Sequence, residues 1–206
     1  MRVILASASP ARLEVLRRAG VTAEPIVSGV DEDAVRVADP AALTLTLARL
    51  KAAAVAGRLA PSDSAAVVIG CDSLLEIDGE PQGKPADAER ARLRWRAMRG
   101  RSGVLHTGHR VIVLDGGEAR AAEAVASTTV HFADLDDAEI DAYVATGEPL
   151  WVAGAFTVDG LGGPFVTGIE GDHHNVVGLS LPLLRTLLLE LGVAWPQLWG
   201  EAESLR

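Results

Sequence analysis

Residues Ala65–Gly70, AAVVIG, form an uninterrupted apolar run. A stretch this short, rich in β-branched residues and without polar alternation, reads as a strand covered on both faces. A sheet buried on two sides needs helices on two sides, so this run constrains the whole chain. It stops at Cys71-Asp72-Ser73, and apolar character resumes over Leu74–Ile77. On this reading Asp72 interrupts a buried segment. A carboxylate there is either a turn residue bonded to nearby backbone or a group kept for chemistry.

The rest of the chain supplies matching elements. Val3–Ala6 reads as a short buried strand, and Pro10–Ala19 as a helix with Ser9 as N-cap, Pro10 in the first turn and Gly20 after the end. Glu24–Val30 alternates as a second strand, and the acidic turn Asp31-Glu32-Asp33 precedes a helix from Pro40 to about Leu59, closed by Pro61-Ser62-Asp63. Asp78-Gly79 marks a hairpin, Gln82-Gly83-Lys84-Pro85 a loop, and Asp87–Arg99 an arginine-rich helix ended by Gly100. Leu105–Leu114 and Ala122–Phe132 read as strands joined at Asp115-Gly116-Gly117, in a meander. Asp136–Thr146 has capping-box spacing through Asp136 and Glu139, a glycine-dense segment fills 153–178, and Leu179–Gly192 forms the last helix. Strands alternate with helices around a central meander, giving a mixed α/β sheet in one domain over residues 1–206, without repeats or linker-like stretches.

Composition narrows the function. Of 206 residues, 49% are hydrophobic and 23% charged, enough apolar material for a globular core. The formal charge of −9 argues against a surface that coats nucleic acid, so an anionic ligand must meet a local cluster of cations. Cys71 is the single cysteine, which excludes an internal disulfide and multi-cysteine zinc patterns. No run approaches a membrane span, and a soluble cytoplasmic protein with no membrane partner is expected.

Four charged clusters interrupt apolar or loop segments: Ser7/Ser9/Arg12, Asp31/Glu32/Asp33, Asp72, and Lys84. Singly, each reads equally as capping, turn or surface chemistry. Together they suit phosphate chemistry, in which carboxylates hold a hard divalent ion while Lys and Arg neutralise phosphate oxygens. The chain has no P-loop pattern, and the glycines at 160, 162 and 163 lack the strand-then-helix setting of a dinucleotide fingerprint. Adjacent His173 and His174 point in different directions, and His106/His109 lack a third ligand at a supporting spacing, so metal ligation by histidine is not expected. Cys71 after an apolar run reads as a small core residue.

The motifs LASASPARLEVLRRAG, VDED, RLKAAAV, GCDSLLEIDGEPQGKP, GEPLWVAGAFTVDGLGGPFV and IEGDHHNVVGLSLPLL, in this order from Leu5 to Leu184, resemble those of the Maf family of nucleoside triphosphate pyrophosphatases. The resemblance implies a mixed, elongated, twisted sheet flanked by helices, with two lobes about a central cleft, as in inosine triphosphate pyrophosphatase-like folds. It implies hydrolysis of a nucleoside triphosphate to the monophosphate and pyrophosphate with a divalent metal cation, Mg2+ or Mn2+. By motif, Ser7, Ser9, Arg12, Lys51 and Lys84 would bind phosphate, Glu32 and Asp72 the metal, and Asp72 would be the catalytic base. Members are often dimers, so a homodimer is one arrangement it implies. A nucleotide-binding regulator of septum formation with little turnover is the second reading.

The departures from the family pattern fall at specificity positions. Ala11, Ser73, Trp151-Val152 and Asp159 stand where members acting on dTTP and UTP usually carry Arg, Thr, Asp-Lys and Gln. A carboxylate in place of Gln accepts hydrogen bonds only, favouring a base edge that presents N–H donors, as guanine does. The acid at 159 is similar to the subgroup acting on 7-methyl-GTP, although that subgroup usually has Gln where Ser73 stands. Trp151 reads as a core or interface residue, with stacking on a base as the alternative.

Overall fold

The computed structural model describes residues 1–59 and 65–200. Its centre is a seven-stranded mixed sheet in the order β2-β1-β3-β5-β6-β7, with β4 pairing separately onto β3. The strands are β1 (Arg2–Leu5), β2 (Ala23–Pro25), β3 (Ala66–Ile77), β4 (Glu80–Gln82), β5 (Ser102–Asp115), β6 (Glu118–Phe132) and β7 (Val166–Glu170). The helices are α1 (Pro10–Arg18), α2 (Pro40–Ala56), α3 (Ala88–Met98), α4 (Asp137–Ala145), α5 (His173–Val177) and α6 (Leu181–Glu190). β1 lies parallel to both β2 and β3; β5 and β6 form the expected antiparallel pair, and β3 and β7 extend it antiparallel on either side.

Alternation along β3 sorts its side chains between faces. Val67, Ile69 and Cys71 join a core with Val15 and Leu16 of α1 and Leu184, Leu187 and Leu188 of α6. Further along the same face, Leu75 and Ile77 join a second core with Trp95 of α3 and Ile140, Tyr143 and Val144 of α4. Ser73 falls between the two, and this break divides the fold into its two lobes. On the opposite face Ala66 and Val68 pack with Ala52 and Val55 of α2. A side chain on Gly70 would lie 2.3 Å from the Ala48 carbonyl oxygen, and one on Gly108 2.3 Å from that of Thr44. Glycine at these two positions seats α2 directly on the sheet.

Several expectations are corrected. β3 is continuous through Cys71-Asp72-Ser73, because its backbone stays paired with β5, Asp72 opposite Gly108. β2 ends at Pro25 rather than Val30, since its partner β1 has only four residues and the last ladder bond is Ile26 N–H to the Leu5 carbonyl, 2.9 Å. α2 ends at Ala56 with Gly57 as its cap, short of Leu59, and the breaker at 61–63 lies outside the described residues. Trp151 is 77% exposed and belongs to no core.

Other local rules hold. Asp78 and Gly79 take left-handed φ of 55° and 81°, as a two-residue primed turn requires. Asp136 and Glu139 form a reciprocal capping box. No helix among the described residues is long and apolar enough to cross a membrane.

Candidate active site

The site lies at a gap in the edge of β3. On that edge β1 pairs no further than Leu5 opposite Ile69, extended by Ala6 N–H to the Ile69 carbonyl, and β4 pairs only from Leu75 to Ile77. Residues 70–74 are therefore unpaired on this side. Two chain segments arrive from opposite directions. β1 runs parallel to β3 and delivers Ser7–Arg12 at one end. β4 runs antiparallel, and its pairing ends at Gln82 opposite Leu75, so the loop with Gly83 and Lys84 begins at the other end of the gap.

Asp72 faces α2, where Lys51 stands. Its Nζ lies 2.6 Å from Asp72 Oδ1 and 2.7 Å from Glu32 Oε1, Glu32 opening the 3₁₀ turn Glu32–Ala34. The Lys51 and Asp72 side chains are 8% and 11% exposed, that of Glu32 52%. Burial pushes the Asp72 carboxyl above its ordinary range; Lys51 and Arg12 hold it down and the Glu32 charge adds to the rise. Two carboxylates converging on one ammonium form a donor set that also suits a divalent cation with oxygen ligands.

Ser73, on the other face, meets Arg12. The guanidinium donates from Nε to the Gly178 carbonyl (2.7 Å), from one terminal nitrogen to the Cys71 carbonyl (3.0 Å) and Ser7 Oγ (3.3 Å), and from the other to Ser73 Oγ (2.9 Å). Ser7 Oγ also accepts from Ser9 N–H, and Ser9 Oγ caps α1 by accepting from Arg12 N–H. Because both hydroxyl oxygens act as acceptors here, their own protons remain free to be donated outward.

The structure thus gathers Ser7, Ser9, Arg12, Glu32, Lys51, Asp72 and Ser73. Ala11 sits half-buried in the first turn of α1. Lys84 and Asp159 are exposed, and their side chains make no hydrogen bond or ion pair with another described residue. The glycine-rich segment around Asp159 is organised by Glu148, which accepts from Tyr143, Thr157 and the backbone N–H groups of Leu161 and Gly162. Burial raises the Glu148 pKa, but these hydrogen bonds outweigh it and the net direction is downward. Side chains at Gly160 and Gly162 would lie 2.6 Å from Glu148 and 2.5 Å from Tyr143, which accounts for glycine at both.

Sequence reasoning missed a polar seam between the two cores. Ser73 Oγ lies 2.9 Å from Thr107 Oγ1, and Thr107 donates to the Asn175 carbonyl at 3.3 Å. The fully buried Asn175 amide donates to Leu105, Ala126 and Thr128. His109 donates from Nδ1 to the Thr107 carbonyl and accepts Ser180 N–H at Nε2, both at 2.9 Å. Burial pushes its pKa down to about 4. Cys71 belongs to the first core, its thiol pushed up to about 11 by burial. The only sequence signal for the seam was isolated polar residues in apolar strands.

A family model for Maf-like proteins matches residues 2–191. The chain belongs to the Maf family. Relatives named nucleoside triphosphate pyrophosphatase include those of Salinispora tropica, 60% identical over 99% of this chain and 90% of the relative. That of Streptomyces coelicolor is 57% identical over 98% and 97%, and that of Nocardia farcinica 56% over 96% and 96%. Among solved structures, the Ham1 protein of Staphylococcus aureus aligns with a TM-score of 0.36 at 16% identity, over 65% of this chain and 73% of that one. In this Maf-family chain the motifs that carry Ser7–Arg12, Glu32, Lys51, Asp72-Ser73 and Gly178 meet at the β3 edge gap, from both sides of the sheet.

Proposed function

We propose that this chain is a nucleoside triphosphate pyrophosphatase whose reaction takes place at the β3 edge gap. The observation that carries the reading is the meeting of Asp72, Lys51 and Glu32 with the Ser7–Arg12 turn at an open strand edge. The names of the relatives support the same activity. A water oxygen forms a bond to the α-phosphorus, the bond to the α,β-bridging oxygen breaks, and pyrophosphate leaves with the electron pair. Asp72 takes the proton of that water, and its raised pKa makes it a stronger base than an exposed aspartate.

The hydroxyls of Ser7 and Ser9 donate to phosphate oxygens, and Lys51 and Lys84 neutralise charge developing on the departing pyrophosphate. Arg12 holds the site together from behind with four of its five N–H donors, and the fifth serves a phosphate oxygen. Glu32 and Asp72 would hold a divalent cation, Mg2+ or Mn2+, which when bound supplies neutralisation of the triphosphate. Exposed Asp159 accepts N–H donors of a base, favouring guanine nucleotides.

The test is pyrophosphate release from GTP, 7-methyl-GTP, UTP, CTP and dTTP with magnesium or manganese. Turnover of at least one substrate is expected, falling about 100-fold or more in Asp72→Asn. Turnover within a few-fold of wild type in that variant removes Asp72 from its role. Nucleotide binding without pyrophosphate release favours the regulatory reading.

A further inference from the structure

We propose that Arg94 is a positioning residue, fixing the peptide that aims Lys84 at the β3 edge gap; this rests on the role given to Lys84 above. Of the other arginines on and after α3, exposed Arg90 has no acidic partner among the described residues, whereas Arg92 pairs with Asp141, Arg96 and Arg99 with Asp137, and Arg101 with Asp78. Arg94 has no such partner among the described residues either, but unlike Arg90 it is half-buried. Half-buried at a cavity of about 210 Å3 between α3 and the β3–β4 hairpin, it donates to the carbonyl oxygen of Gly83.

That carbonyl also accepts Gly154 N–H at 3.2 Å. It therefore ties the loop after β4 to the segment that follows Trp151-Val152. At Gly83 itself a Cβ would meet no atom within 4 Å, so these backbone hydrogen bonds and not side-chain packing hold that position. The carbonyl of Gly83 and the amide nitrogen of Lys84 share one rigid plane, so holding the first orients the second. Taking a guanidinium out of water for a single hydrogen bond to a neutral carbonyl is unfavourable by itself. The arrangement gains a defined direction for Lys84, whose side chain makes no bond of its own to another described residue.

The experiment compares Arg94→Met and Arg94→Lys, each with Lys84 intact and with Lys84→Ala. Inorganic tripolyphosphate, which carries the phosphate chain common to all candidate substrates, is the calorimetric probe. Hydrogen exchange at the Gly154 amide is followed without ligand. Arg94→Met is expected to weaken tripolyphosphate binding about 10-fold with Lys84 present and less than twofold with Lys84→Ala, with Arg94→Lys recovering most of the loss. Gly154 should exchange faster in Arg94→Met. Equal losses in both Lys84 backgrounds, or no loss, overturn the proposal. If wild type itself fails to bind tripolyphosphate, the phosphate reading of the site fails; an unchanged Gly154 exchange rate then overturns the positioning role independently.

Discussion

Replacing Lys51 by Met tests whether the ion pair at the centre of the site is a buried one. At 2.6 Å and an effective dielectric of about 20, the attraction between Lys51 and Asp72 is about 6 kcal/mol before desolvation. Desolvation of both ions offsets most of it, so the intact pair contributes little net stability. Removing one partner exposes the other side of that balance, because Asp72 stays buried without compensation, at about 3–5 kcal/mol. For a chain of this size that is about 6–20 °C in melting temperature. Glu32 is half-exposed, so Glu32→Gln should cost no more than about 1 kcal/mol. The folded pKa of Asp72 is raised, so its ionised form subtracts stability at high pH and the penalty fades as pH falls and the carboxyl takes up a proton. Without Lys51 that pKa climbs further. The Lys51→Met deficit should therefore be largest at pH 8, shrink on acidification, and be mostly recovered in Lys51→Met/Asp72→Asn. Thermal unfolding across pH is the assay. A Lys51→Met melting point within about 2 °C of wild type at every pH, or a Glu32→Gln loss equal to it, refutes the reasoning.

His109 should make the fold acid-sensitive. Its folded pKa of about 4 lies below the ordinary 6.5, so its contribution is complete above pH 6.5 and lost as pH falls toward 4. Urea midpoints at pH 7 and 4.5 should separate less in His109→Gln than in wild type; an equal separation removes His109 from that role. Gly108→Ala should destabilise by about 2–3 kcal/mol by lifting α2 from the sheet, with activity falling in parallel as Lys51 moves, whereas an unchanged unfolding midpoint would mean that α2 is not seated there. Arg12→Lys keeps the charge but cannot reach the Cys71 and Gly178 carbonyls and Ser73 together, so at least about 2 kcal/mol should be lost in denaturant unfolding. A loss below 0.5 kcal/mol, about the size of a surface substitution, would show that the guanidinium network is not structural.

The sequence made local structure legible where one residue type has one physical use. Ser9-Pro10 began α1, Asp136 and Glu139 formed a capping box, and Asp78-Gly79 made a primed turn. It misled where tertiary contacts outweigh local chemistry. Asp72 looked like a strand terminus because a lone carboxylate in an apolar run usually is one, yet Lys51, distant in sequence, supplies its counter-charge and the backbone ladder continues. Glu24–Val30 alternated convincingly, but a strand extends only as far as its neighbour, and β1 is short. The hydrogen bonds of the Ser73 hydroxyl with Arg12 and Thr107 join residues distant in sequence, and no local pattern signals them. No periodicity announces a seam assembled from β3, β5, β6 and α5.

The seam and the edge gap share one cause. A twelve-residue strand that serves two cores must cross from one to the other, and where it crosses no apolar side chain can be buried by both. Ser73 fills that position on one face, while Asp72 takes the adjacent position facing α2. At the same place the strand's outer edge has lost β1 and not yet gained β4, so backbone and side chains of one short segment are reachable together. Closing the gap would require a longer β1 or β4, either of which would cover Asp72 and Ser73. The open edge destabilises the sheet locally, and Arg12 offsets part of this by donating to the Cys71 carbonyl, one of the groups that lacks a ladder partner on that side. Placing Arg12 there engages four of its five N–H donors in holding the crossing together.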